Sequence, residues 1–149
     1  TPLYSSAASD VYKRQVFDAP LVMLCDSPTR YMADEACTRF IASLPVVFDT
    51  TRVLAGEIGE YIVTARKRQD CWYVGGLTGW TPRTLDVDLS LLDPGREYTA
   101  TLLADDDRSA AEPARYVLST QRVTSATRLQ IPVAPGGGFA LKIEPADNK

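Results

Sequence analysis

Beyond Pro45 the chain settles into short runs rich in Val, Ile, Thr, Tyr and Leu, each closed by Gly, Pro, Asp or Ser. Side chains of these types fit a pleated, half-buried surface, and the closing residues are those that turn a chain. The pattern therefore restricts residues 46–145 to an all-β domain, with strands expected at 46–53, 61–68, 71–77, 84–89, 98–103, 115–123, 127–133 and 138–143. Alternation is clearest in Leu85-Val87-Leu89, Leu129-Ile131-Val133 and Phe139-Leu141-Ile143. It predicts strands with one buried and one wet face. Gln69-Asp70 reads as a hairpin turn, and Asp93-Pro94-Gly95 and Thr124-Ser125-Ala126 as antiparallel links of the same kind. The fold class expected is an antiparallel two-sheet β-sandwich.

Residues 16–45 read differently. Phe17, Leu21, Val22 and Leu24 recur at helical spacing up to the break at Asp26-Ser27-Pro28. A second helix is expected over 29–43, with Tyr31, Met32, Ala36, Phe40 and Ile41 on one face. Residues 1–15 show no clear period. Reverse-translated with suitable codons, 5–15 resembles a transposase-type sequencing adaptor read in frame, so 1–15 is expected to be a non-native, dispensable tail.

Charge and composition exclude several functions. With 16 basic against 19 acidic residues and no basic cluster beyond Arg66-Lys67-Arg68, a nucleic-acid partner has no electrostatic footprint. No apolar run is long enough to cross a bilayer, so no membrane partner is expected. Histidine is absent, which removes imidazole bases and imidazole metal ligands. Cys25, Cys37 and Cys71 are odd in number and lack C-x-x-C spacing, so they read as small buried hydrophobes rather than a disulfide framework or zinc site.

The stretch from Trp72 to Arg83, W-Y-V-G-G-L-T-G-W-T-P-R, ends a strand in two glycines and a turn carrying a second tryptophan and an arginine. With P-L-V-M-L-C-D-S-P from Pro20, G-E-I-G-E-Y-I-V-T-A-R-K from Gly56 and A-P-G-G-G-F-A-L-K-I from Ala134, it resembles the C-terminal domain of glycoside hydrolase family 97. The resemblance implies a β-sandwich preceded, over 16–45, by the helical end of a catalytic barrel. It also implies that the catalytic carboxylates and the calcium site lie in that barrel, so this chain holds no catalytic, cofactor or metal residues of its own. The implied function is a non-catalytic accessory domain that packs on its own barrel and aids homo-oligomerisation. The implied parent hydrolyses α-glucosides or α-galactosides in the periplasm or outside the cell.

The structural motif expected from the matching segments is Glu60, Trp72, Gly75, Gly76, Trp80, Arg83, Gly136, Gly137 and Gly138. A buried Trp80 would lock the turn after Gly75-Gly76, and Glu60 is the expected partner of Arg83. The alternative is a carbohydrate-binding module that uses the aromatic set Trp72, Tyr73, Trp80, Tyr98 and Tyr116. Exposure of Trp80 would favour it. Asp86-x-Asp88-x-Ser90 imitates a calcium loop but holds Leu91 where the sharp turn needs glycine. Asp105-Asp106-Asp107 reads as a solvated loop tip, and the triple glycine lacks the lysine and helix of a phosphate loop.

Overall fold

The computed structural model describes residues 7–17, 19, 27–105 and 116–146. Three helices come first: α1 (Ala7–Val16), α2 (Pro28–Ala33) and α3 (Glu35–Ala42). Eight strands follow: β1 (Thr50–Glu57), β2 (Tyr61–Arg68), β3 (Cys71–Thr78), β4 (Arg83–Asp88), β5 (Tyr98–Ala104), β6 (Val117–Val123), β7 (Arg128–Val133) and β8 (Gly138–Pro145). No helix among the described residues is long and apolar enough to cross a membrane.

The antiparallel sandwich is unequal. Six strands form one sheet in the order β1-β2-β3-β8-β5-β6, while β4 and β7 pair alone as a second. The small sheet supplies Leu85, Val87, Ile131 and Val133 to a core with Val63, Ala65, Trp72, Val74, Phe139, Leu141 and Ile143 of the large one. The helices cover the other face of the large sheet, where Val11, Tyr12, Tyr31, Phe40 and Ile41 pack against Tyr73, Leu103 and Ala140. The expected alternation of buried and wet positions is therefore clean in β4 and β7, while the edge strands β1 and β6 are exposed along most of their length. In β3 and β8 both faces are buried, because each strand lies mid-sheet between two covering layers.

Most strand limits match the expected ones to within one or two residues, but the connections differ. The β2–β3 hairpin turns at Gln69, whose φ is +53°, and Asp70. Asp93-Pro94-Gly95 and Thr124-Ser125-Ala126 do not close hairpins. They carry the chain from one sheet to the other, since β4 pairs with β7 whereas β5 pairs with β6 and β8. The first strand also starts later than expected. Val46 and Val47 lie exposed in a bend, and the register opens only at Thr50↔Lys67, where the Asp49 carboxylate accepts from Gln69 N (2.7 Å) and Arg68 Nη1 (2.8 Å).

Residues 7–16 depart most from expectation. They form a helix, with Val11, Tyr12, Gln15 and Val16 buried at i, i+1, i+4 and i+5 on one face. Gly75 makes room for it: a Cβ there would lie 2.6 Å from Gln15 Cβ. Arg66, 1% exposed, donates from Nη2 to Val16 O (3.1 Å), placing a cation on the carbonyl end of the helix, and Thr64 Oγ1 donates to Gln15 O (3.2 Å). Residues 7–16 are thus packed into the folded unit rather than lacking structure. The helix expected over 16–24 falls largely on residues outside the described ones.

The helix expected over 29–43 is two. Asp34, at φ −118° and ψ 78°, breaks the chain, and its carboxylate caps α3 by accepting from Cys37 N (3.2 Å). The break rotates the faces. Tyr31, Cys37, Phe40 and Ile41 are buried, whereas Met32 and Ala36, expected beside them, are exposed. Tyr116 OH also donates to Asp34 and ties the start of β6 to this corner.

Candidate functional site

Three of the matching segments, from Gly56, Trp72 and Ala134, converge on one end of the large sheet; the one from Pro20 lies largely outside the described residues. The strand β3 enters it with Trp72 facing the sandwich core and Tyr73 facing the helices, as alternation requires, and both are buried. Trp72 lies under two cations, Lys67 at 5.5 Å and Arg52 at 5.7 Å from its ring centre. Tyr73 meets Phe48 edge to face, with centroids 5.6 Å apart. The paired glycines serve opposite faces: Gly75 receives α1, and Gly76 lies beneath the ring of its cross-strand partner Phe139.

Beyond β3, three turns are joined by backbone hydrogen bonds. Gly79 N donates to Glu60 O (2.6 Å), Gly136 N to Gly79 O (2.6 Å) and Thr78 N to Gly137 O (3.1 Å). Gly136 has a φ of +69°, the left-handed conformation that favours glycine. Gly137 and Gly138 have no room for a side chain, the first against the Asp105 carboxylate and the second against Gly76 O and the Tyr12 ring. Asp105 accepts from Ala134 N (3.1 Å), Gly138 N (3.1 Å) and Tyr12 OH (3.2 Å). It is a loop anchor rather than a solvated tip; Asp106 and Asp107 lie outside the described residues.

Arg83 donates to Glu60, its expected partner, and stacks 4.9 Å over the Tyr61 ring. Trp80 is not the expected anchor. It is 93% exposed, and the turn is held without it, by Gly79 N and by Thr78 Oγ1 donating to Thr81 O (3.0 Å). Tryptophan in a turn carries no periodic signal, so the residue pattern left its direction open. Trp80→Ala is accordingly expected to shift stability by no more than about 0.5 kcal/mol, and Glu60→Gln by less than about 1 kcal/mol for so exposed a pair. Thermal melts of both variants check this.

The remaining aromatic candidates are structural. Tyr98 is buried, and its hydroxyl donates to Asp93 Oδ2 (3.0 Å). Cys37 is buried and Cys71 half-buried, while Cys25 lies outside the described residues. Among the described residues no group of three or more His, Cys, Asp or Glu is placed to hold a metal. Asp88, of the calcium-loop look-alike, instead accepts from Ser90 N (2.8 Å) and pairs with Arg128 (3.0 Å); these hold its carboxyl below the usual range.

Three phenols mark how tightly the helical layer is closed. Burial first, then the charge of Asp105 and the hydrogen bond to it, raise Tyr12. Burial and the bond to Asp34 raise Tyr116, and burial with the nearby Cys71 pushes Tyr73 up to about 12. A phenol whose pKa is higher folded than unfolded stabilises fully below the unfolded value of ~10 and loses that contribution as pH rises toward the folded value. Stability is therefore expected to hold to about pH 9.5 and fall above ~10. Tyr12→Phe should soften the fall, as denaturant melts from pH 8 to 11 would show.

Large and small antiparallel sheets, a helical cover and a rim fastened by backbone bonds define a β-sandwich domain of unequal sheets. Residues 47–144 match the family model described as glycosyl hydrolase 97 C-terminal, oligomerisation, and the chain belongs to that family. It is 45% identical over 129 residues to a retaining α-galactosidase of Bacteroides thetaiotaomicron, covering 87% of this chain and 19% of that protein. A probable retaining α-galactosidase of Streptomyces bingchenggensis is 30% identical, over 93% of this chain and 21% of its own length. Among solved structures, a glycoside hydrolase family 97 enzyme from Pseudoalteromonas sp. strain K8, in complex with acarbose, superposes with a TM-score of 0.79 at 27% identity, covering 82% of this chain and 20% of that one. The chain thus spans about a fifth of the length of the relatives it matches.

Proposed function

We propose that this domain serves a parent enzyme that hydrolyses α-glucosides or α-galactosides, and that its task there is to hold the parent's barrel and to join copies of the enzyme. The observation that carries this is the match over 47–144, whose family description is oligomerisation, together with 45% identity to a retaining α-galactosidase. The helices α1–α3 would be the seam to the barrel, since they already cover one face of the large sheet and leave Phe17 and Met32 exposed on their outer side. The catalytic carboxylates and calcium would reside in that barrel. A periplasmic or secreted address goes with the same family reading.

The chain alone is expected to leave aryl α-glucosides and α-galactosides intact, with or without calcium, and to self-associate in solution. Turnover above a denatured control would overturn the first part. Sedimentation velocity tests the second, and a strictly monomeric chain counts against it.

A second reading has one observation in its favour. The exposed Trp80 offers a flat aromatic face of the kind that stacks on a pyranose ring. Saturable quenching of tryptophan emission by maltose or galactose, lost in Trp80→Ala, would support a carbohydrate site there.

A further inference from the structure

Three exposed apolar regions invite a partner. Phe17, Met32 and Val46 lie outside the matched segment, on the helical side already assigned to the barrel seam. Val117 and Leu118 lie on the edge strand β6, adjoining residues outside the described ones. The third lies within 47–144 at the end of the large sheet and is shaped on both sides.

Here the turn between β1 and β2 raises Ile58, fully exposed, and the adjacent turn raises Trp80. The two turns are fixed against each other, Gly79 N donating to Glu60 O, with no space for a side chain at residue 79 beyond 3.0 Å from Gly59 O. Beside Trp80 a cleft of about 510 Å³ is lined by Val53, Ile62 and Leu77, with Ile58 at its margin and Glu57 and Glu60 among its polar groups. Glu60 is neutralised by Arg83 at its rim. Projecting apolar side chains on rigid turns next to an apolar hollow make a surface that is its own complement. In a two-fold contact the knob of one copy enters the hollow of the other, and the reverse contact follows by symmetry.

We propose that the Ile58–Trp80 knob and the Val53–Ile62–Leu77 cleft form the isologous interface through which a second copy of this chain docks. The inference rests on the self-association reading above. A large aromatic on a turn is the type of residue that dominates interface energetics, and the Arg83 pair spares the contact the cost of desolvating Glu60 alone, leaving Glu57 as the carboxylate that must stay at the solvated rim. The free edge of β1 is not the contact, because the irregular register between Val53 and Ala55 interrupts the ladder that a docking strand would need.

Sedimentation equilibrium of the 149-residue chain, with Ile58→Asp, Trp80→Asp and Met32→Asp as variants, tests it. The first two sites are exposed, so folding is expected to survive, with far-UV circular dichroism as the control. Each is expected to raise the dimer dissociation constant at least ~10-fold, as loss of a central interface anchor does, while Met32→Asp leaves it unchanged. Unaltered association in both knob variants, with the parent chain still dimeric, would overturn the interface and leave the proposed function standing. A parent chain monomeric even at millimolar concentration would overturn both. Sugar-dependent quenching at Trp80 in such a monomer would assign the patch to a saccharide instead.

Discussion

Removing residues 1–16 is expected to lower the melting temperature by roughly 5–15 °C, corresponding to a net loss of about 2–4 kcal/mol. Val11, Tyr12 and Val16 are buried in the helical layer, and burial of each contributes about 1.5–3 kcal/mol before the entropy of ordering the helix is subtracted. Deletion also leaves Arg66 without the Val16 carbonyl and Asp105 without the Tyr12 hydroxyl. A second variant tests the packing without shortening the chain. Gly75→Val places a side chain where Gln15 Cβ and a Val16 methyl now sit, so in the intact chain it should dislodge α1 and cost about as much as the deletion. In the shortened chain the same substitution meets no helix. A β-branched residue in mid-strand should there be neutral or stabilising by up to about 1 kcal/mol. A sign change between the two backgrounds identifies the contact; an unchanged melting temperature on deletion would mean that α1 does not pack as described.

Why α1 escaped the residue pattern follows from its contact face. It rests on four residues, one of them Gln15, whose side chain is buried with its oxygen accepting from Leu141 N (3.3 Å). A polar residue at a core position cancels the periodicity that would reveal a helix. The strands were legible because their limits are local: the turn at Gln69-Asp70 sets both ends of its hairpin, and Leu85, Val87, Ile131 and Val133 alternate cleanly where one face is wet. Pairing was not, since β3 meets β8 far along the chain and no local rule selects that partner. Of the site, the Glu60–Arg83 pair was legible and the outward Trp80 was not. A charge in a turn seeks an opposite charge nearby, whereas an aromatic in a turn takes the direction set by the backbone bonds at Gly79 and by the surroundings of the finished fold.

Replacement of Gly76 by alanine is expected to cost about 2–3 kcal/mol, the upper range for overpacking, although it adds only one methyl group to a strand. The methyl would fall within the ring of Phe139, its cross-strand neighbour across β3 and β8. The ring has no free direction in which to retreat: Phe139 is fully buried, and the strands at this pair lie between the small sheet and α1. Phe139→Ala alone should cost about 3–5 kcal/mol, because it empties the space over Gly76 and leaves a cavity between the sheets. The double variant separates these effects. With the ring gone the alanine at 76 has room and partly refills the cavity, so the two substitutions together should cost less than their sum by at least about 1 kcal/mol. Chemical denaturation of the four chains measures this coupling. Costs that add to within ~0.5 kcal/mol would show that Gly76 is set by something other than the aromatic ring it carries. Such additivity would move the reason for the paired glycines to the α1 side of the sheet, where Gly75 already meets the helix.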